Sequence, residues 1–129
     1  MPHFQIDYST NLENRLDMPG LLEAIRIAAI ETGLFPLAGI RIRATACTHT
    51  LMADGNSDHA FLDLSVRLRA GRDLSARKAA TEQIFAAMRT FCAPLLESSS
   101  FMLSMEMREI DPELSPRDSS IRKYLPSEK

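Results

Sequence analysis

His59-Ala60-Phe61-Leu62-Asp63-Leu64-Ser65-Val66-Arg67-Leu68-Arg69 is the cleanest alternating stretch of the chain. Ala60, Leu62, Leu64, Val66 and Leu68 fall on one side, and His59, Asp63, Ser65, Arg67 and Arg69 on the other. A period of two held over residues 59–69 is that of a strand with one face in a core, and Gly71 ends it. Toward the C-terminus, Ser75 stands as the cap of a helix whose stripe is Ala76, Ala80, Ile84, Ala87, Met88, Phe91 and Leu95. Pro94 predicts a bend late in that helix, since proline has no N–H to give the preceding turn. Residues 101–107 return to a period of two, with Phe101, Leu103, Met105 and Met107 on one face. The second half of the chain therefore reads β-α-β.

Toward the N-terminus the same order repeats. A turn at Ala53-Asp54-Gly55-Asn56 separates residues 59–69 from residues 39–47, where Ile40, Ile42, Ala44 and Ala46 alternate with Arg41, Arg43, Thr45 and Cys47. Before that strand, Asp17 caps a helix with Pro19 in its first turn and a stripe of Leu21, Leu22, Ile25, Ala28, Ala29 and Thr32; Gly33 closes it. Residues 3–8 form the first strand, with Phe4, Ile6 and Tyr8 on one face. Two β-α-β units each supply a parallel pair of strands and place both helices on one face of the sheet. The opposite face carries Arg41, Arg43, Ser65, Arg67 and Arg69, and without cover of its own it suits packing between subunits. The polar tail, residues 111–129, contains Pro112, Pro116 and Pro126 and reads as either disordered or laid across a neighbour.

The bulk numbers narrow the function. A chain of 129 residues is expected to be a single domain able to build a core without disulfides or metals. A formal charge of -2, a pI near 5.9 and the absence of basic runs argue against nucleic acid and anionic membranes as partners. The apolar stretches are broken by charges well before the ~18 residues of a membrane span. Cys47 and Cys92 lie in apolar patterns without CxxC spacing, and no signal-peptide h-region leads the chain, so reduced thiols in the cytoplasm are the expectation. His3, His49 and His59 lack ligand spacing with one another or with the cysteines, and no metal site is expected. Neither a G-x-S-x-G elbow nor a phosphate-cradling glycine loop is present.

What remains is the start of the chain, Met1-Pro2-His3-Phe4. If Met1 is removed, Pro2 becomes an N-terminal secondary amine, and burial or neighbouring cations push such an amine toward its neutral, proton-accepting form. Further blocks stand with it: Pro19-Gly20-Leu21, Gly33-Leu34-Phe35-Pro36-Leu37-Ala38-Gly39-Ile40-Arg41, Met52-Ala53-Asp54-Gly55 and Ala70-Gly71-Arg72. Together, over roughly residues 2–110, they resemble the 5-carboxymethyl-2-hydroxymuconate isomerase family of the tautomerase superfamily. That resemblance implies an α/β (α+β) fold of doubled β-α-β, a four-stranded mixed sheet with two helices on one face, assembled as a homotrimer. It implies a cofactor-free isomerase of aromatic-compound degradation, with Pro2 as the catalytic acid-base group and Arg41 and Arg72 binding the carboxylates of a small-molecule substrate. The alternatives are a superfamily member acting on a different unsaturated acid, and a trimeric binding module without catalysis. Arginine suits the binding role because its guanidinium holds a carboxylate through two parallel hydrogen bonds while its charge opposes protonation of a nearby amine.

Overall fold

The computed structural model describes residues 1–126. Its elements are β1 (His3–Ser9), α1 (Met18–Glu31), β2 (Arg41–Cys47), β3 (Ala60–Arg69), α2 (Leu74–Phe91), α3 (Ala93–Ser98) and β4 (Phe101–Ile110), with 3-10 turns at Thr10–Leu12, Leu37–Gly39 and Ile121–Tyr124. The strands lie in the order β2-β1-β3-β4. β1 pairs with β2 and β3 with β4 in parallel, and the two halves join antiparallel through β1 and β3. The sheet is therefore mixed, as the family resemblance implies.

Register sends the alternating apolar residues of all four strands to one side and leaves the paired Phe61 and Met102 on the other. Ile6 stands opposite Ala44 and Leu64, and Leu64 opposite Met105; the same face holds Phe4, Tyr8, Leu62 and Val66. Leu21 and Ile25 from α1, with Ile84 and Met88 from α2, pack with Phe4, Ile6, Tyr8, Leu62, Leu64 and Val66 into one buried cluster, against which the partly buried Ala44 and Met105 rest. Burying a residue such as Leu64 contributes about 1.5–3 kcal/mol, and a slip of one residue would move this whole set into water. The register of β1 is accordingly fixed on both sides.

Local chemistry sets the ends of the helices. The Gly20 N–H donates to Asp17 Oδ1 at 3.1 Å, so Asp17 caps α1, and Gly33 adopts φ +69° just beyond its end. At α2 the cap is Asp73 rather than Ser75: the Ala76 N–H donates to Asp73 Oδ1 at 2.8 Å, and the Ser75 hydroxyl donates to the same oxygen at 3.0 Å. A cap of this kind is worth ~1 kcal/mol. Pro94 does more than bend the helix. The chain leaves helical geometry at Cys92 and restarts as α3 with Pro94 in its first turn, where the missing N–H has no partner to lose.

Two strand limits differ from the periodicity. β2 begins at Arg41, because residues 37–39 form a turn in which the Gly39 N–H donates to the Pro36 carbonyl at 3.0 Å. β4 runs on to Ile110, its last residues paired with Leu68 and Arg69 although Arg108 and Glu109 break the apolar alternation. Beyond it, the Asp111 carbonyl accepts from the Ser115 hydroxyl at 2.6 Å and the Asp111 carboxylate from the Glu113 N–H at 2.9 Å. This turn sends residues 117–122 back to the start of their own chain. The part of the tail within residues 111–126 thus has a place in its own subunit; residues 127–129 lie outside the described residues.

The uncovered face is graded in charge. Arg41, His3, Arg67 and Arg108 form one row across all four strands, Arg43, Gln5, Ser65 and Glu106 the next, and Thr45, Asp7, Asp63 and Ser104 the third. Among the described residues, no helix is long and apolar enough to cross a membrane.

Candidate active site

Antiparallel pairing of β1 with β3 puts the start of β1 and the end of β3 at the same edge of the sheet, and parallel pairing brings the start of β2 there as well. Met1, Arg41 and Arg69 consequently meet. The 37–39 turn, Arg72 from the loop after β3 and Arg117 from the returning tail complete a cleft of about 450 Å³. Gly39 is what lets the amino end lie on that turn. A Cβ built there would stand 2.8 Å from the Met1 nitrogen, too close for any side chain, and 3.1 Å from the Met1 carbonyl oxygen.

The three residues expected from sequence respond differently. Pro2 is fully buried at the head of β1, so its ring is held by packing and its nitrogen, joined to Met1, lies beside the cleft. Arg41 lines the cleft and is exposed, with Nη2 3.2 Å from His3 Nε2. Arg72 also lines it, half-buried and anchored: Nη2 donates to the Leu34 carbonyl at 3.0 Å, while the Arg72 carbonyl accepts from Arg77 Nε at 3.2 Å. One of the five guanidinium donors is thereby spent on fixing the side chain, and the others remain for a ligand. The structure brings Arg41 and Arg72 together in one cleft with Met1, and Pro2 stands directly behind Met1, buried and outside the lining.

Three further cationic residues belong to this cleft and were not picked out as site residues from sequence: Arg69, Arg117 and Arg122. Arg69 could have been found, because it shares the uncovered face with Arg41. Arg117 and Arg122 carried no signal, since nothing in a polar, proline-bearing tail announces that it folds back. Among the described residues, five arginines thus face a single lining carboxylate, that of Asp118. The field acts on the terminal amine, whose pKa is lowered below its ordinary value, first by burial and then by the charges of Arg41, Arg117 and Arg69. Arg72 is not among those charges; its place suits an anion held farther along the cleft.

His3 responds to the same field. Burial, with Arg41, Arg67 and Arg43 around it, brings its pKa down to about 4, so the ring is neutral at physiological pH and adds no charge to the row. Arg43 is turned away from the cleft, its Nε donating to Gln5 Oε1 at 2.6 Å. His59 stands at the opposite edge, its Nε2 2.7 Å from Asp54 Oδ1 and its Nδ1 2.5 Å from Ser100 Oγ, and ties the 53–59 loop to the start of β4. Cys92 is buried, which pushes its thiol up to about 11 and leaves it an inert core residue.

Chemically, the cleft can bind several carboxylates and shift an amine beside them toward its neutral form. Comparison with known proteins agrees with that chemistry. The family model for 5-carboxymethyl-2-hydroxymuconate isomerase matches residues 2–125. A protein of Escherichia coli described as 5-carboxymethyl-2-hydroxymuconate Delta-isomerase is 37% identical over 121 residues, covering 94% of this chain and 96% of its own. A crystal structure of a 5-carboxymethyl-2-hydroxymuconate delta-isomerase superposes with a TM-score of 0.90 at 27% identity, over 100% of this chain and 96% of that one. A 5-carboxymethyl-2-hydroxymuconate isomerase from Deinococcus radiodurans R1 gives a TM-score of 0.87 at 28% identity, over 97% of this chain and 95% of that one. The buried amino end, the arginine-lined cleft and these matches lead to one conclusion: the chain belongs to the 5-carboxymethyl-2-hydroxymuconate isomerase family.

Proposed function

We propose that the protein is a cofactor-independent isomerase of 5-carboxymethyl-2-hydroxymuconate in aromatic-compound degradation, working in the cytoplasm as a homotrimer. The observation that carries this reading is the terminal amine, depressed in pKa, in a cleft where five arginines face one carboxylate. A polyanionic substrate is what such a cleft attracts, and a neutral amine is what an enol hydroxyl needs as its proton acceptor.

In the proposed mechanism Met1 is removed and Pro2 carries the free amine. Its nitrogen takes the proton of the 2-hydroxyl group, the C–O bond becomes a carbonyl, and the electron pair moves along the conjugated chain. The ammonium then returns a proton to a carbon farther along, which shifts the double bond and restores the neutral base. Arg41 and Arg72 hold carboxylates and stabilise the dienolate as its charge develops. Burial of the Pro2 ring supports this role, since a base must be held in place as well as deprotonated. The guanidinium charges serve twice: they bind the anion, and they keep the amine neutral until it accepts a proton.

The trimer rests on the family resemblance and on the graded sheet face. A row with the cations of Arg41, Arg67 and Arg108 and an acidic pair, Asp7 and Asp63, lie four residues, about 13 Å, apart along the strands, so one copy can set its cationic row against the acidic residues of the next. Light scattering at micromolar concentration is expected to give the mass of three chains, and a monodisperse species of 14.4 kDa would remove the trimer.

The function is tested by following the ultraviolet absorbance of 2-hydroxymuconate-type dienols, with and without the carboxymethyl group, in the presence of purified protein. Turnover is expected, fastest with the carboxymethyl substrate. Arg72→Ala and Arg41→Ala should each cost roughly 2–4 kcal/mol in kcat/KM with folding retained, and Pro2→Ala about 10²–10⁴-fold. Wild-type rates in any of these variants would return that residue to a structural role.

The pH dependence gives an independent check. Because the neutral amine is the active form, kcat/KM should rise with pH through one ionisation below the ordinary amine value of ~8. Arg69 is one of the cations that lower the pKa of the Met1 amine; if it acts in the same way on the amine of Pro2 once Met1 is gone, Arg69→Gln should move the rising limb to higher pH. A limb that stays in place would show that Arg69 does not act on the base.

A further inference from the structure

Beside the main cleft lies a side pocket of about 80 Å³, bounded by Arg69 and Arg117 and lined by Ile110, Pro112 and Ser115. We propose that this pocket is the subsite for the carboxymethyl arm of the substrate, and hence the feature that separates a substrate with three carboxylates from one with two. The inference rests on the isomerase reading above and goes beyond it, since Arg41 and Arg72 account for two carboxylates and leave the third without a partner.

Size, charge and lining agree. A water molecule takes about 30 Å³ of liquid, so the pocket has room for two to three water-sized groups, about the bulk of a CH₂–COO⁻ arm. Arg69 and Arg117 offer two guanidinium forks, and among the described residues neither has a carboxylate within salt-bridge distance. Ile110, almost fully buried, and Pro112 supply apolar surface for the methylene. Met1, Arg69 and Arg117 line both this pocket and the main cleft, so loss of Met1 would open one onto the other around the Pro2 nitrogen.

The fold builds the pocket from parts far apart in sequence. Arg69 and Ile110 are paired at the ends of β3 and β4, which puts the cation beside the apolar wall. The turn built on Asp111 then reverses the chain, and Arg117 arrives from the other side. A straight tail would leave the third carboxylate facing water.

The test compares 5-carboxymethyl-2-hydroxymuconate with 2-hydroxymuconate, which lacks the arm, in the wild type, Arg69→Gln and Arg117→Gln. Either substitution also alters the field on the amine, but that change is common to both substrates and cancels in the ratio of their kcat/KM values. The ratio is expected to fall about 10- to 100-fold, the scale of a lost charge-assisted hydrogen bond. Equal losses on both substrates would overturn the subsite.

A binding measurement keeps this inference separate from the isomerase reading. By calorimetry, the wild type should bind propane-1,2,3-tricarboxylate at least tenfold more tightly than pentanedioate, and both variants should erase the difference. If neither dienol is turned over but this preference appears and is erased, the isomerase reading falls and the subsite stands. Equal affinity for the two probes in the wild type would remove the subsite whatever the activity.

Discussion

The position of β1 between a parallel and an antiparallel neighbour is the constraint on which the rest depends. Phe4, Ile6 and Tyr8 are locked into the core from both sides, and a chain so held cannot slide. The residues just before Phe4 are therefore delivered to one point at the sheet edge. Pro2 is the last residue packed under the sheet, and whatever amine stands at the start of the chain lies on the 37–39 turn, admitted by the missing side chain of Gly39. Terminal residues of most proteins are free to move; here backbone pairing gives the terminus the rigidity of an interior strand.

Charge is arranged around that fixed point at some cost to the fold. The cleft gathers Arg41, Arg69, Arg72, Arg117 and Arg122 with, among the described residues, Asp118 alone to oppose them, and the row behind it adds Arg67 and Arg108. Like charges at such density destabilise a compact chain, and two adjustments reduce the strain. His3 stays neutral among its guanidinium neighbours, and the terminal amine shifts toward its uncharged form. The second adjustment is the one chemistry can use, because the same repulsion that discourages the ammonium is relieved when an anionic substrate enters.

Much of this could be read in the residues. Alternation in residues 59–69 and the caps and stripes of the helices define both β-α-β units, and the match to family blocks marks Arg41 and Arg72, which line one cleft, and Pro2, which stands just behind its Met1 wall. Other features were hidden for physical reasons. β4 extends through Arg108 and Glu109 because backbone pairing does not require apolar side chains. Asp73 takes the cap from Ser75 because its carboxylate reaches both the Ala76 N–H and the Ser75 hydroxyl. Arg117 and Arg122 were invisible because the reversal at Asp111 is built from two or three local hydrogen bonds in a segment whose composition reads as disorder.

The central claim is that the amine of Pro2 is the base. The most direct measurement is intact-mass spectrometry on the same sample used for the ultraviolet assay, comparing protein from which Met1 has been removed with protein that keeps it. Retention of Met1 makes the Pro2 nitrogen an amide with no usable lone pair, and it moves the terminal amine one residue outward. The account predicts that activity follows the fraction of chains beginning at Pro2 and vanishes with full retention. Full activity in a sample whose every chain still carries Met1 would contradict it.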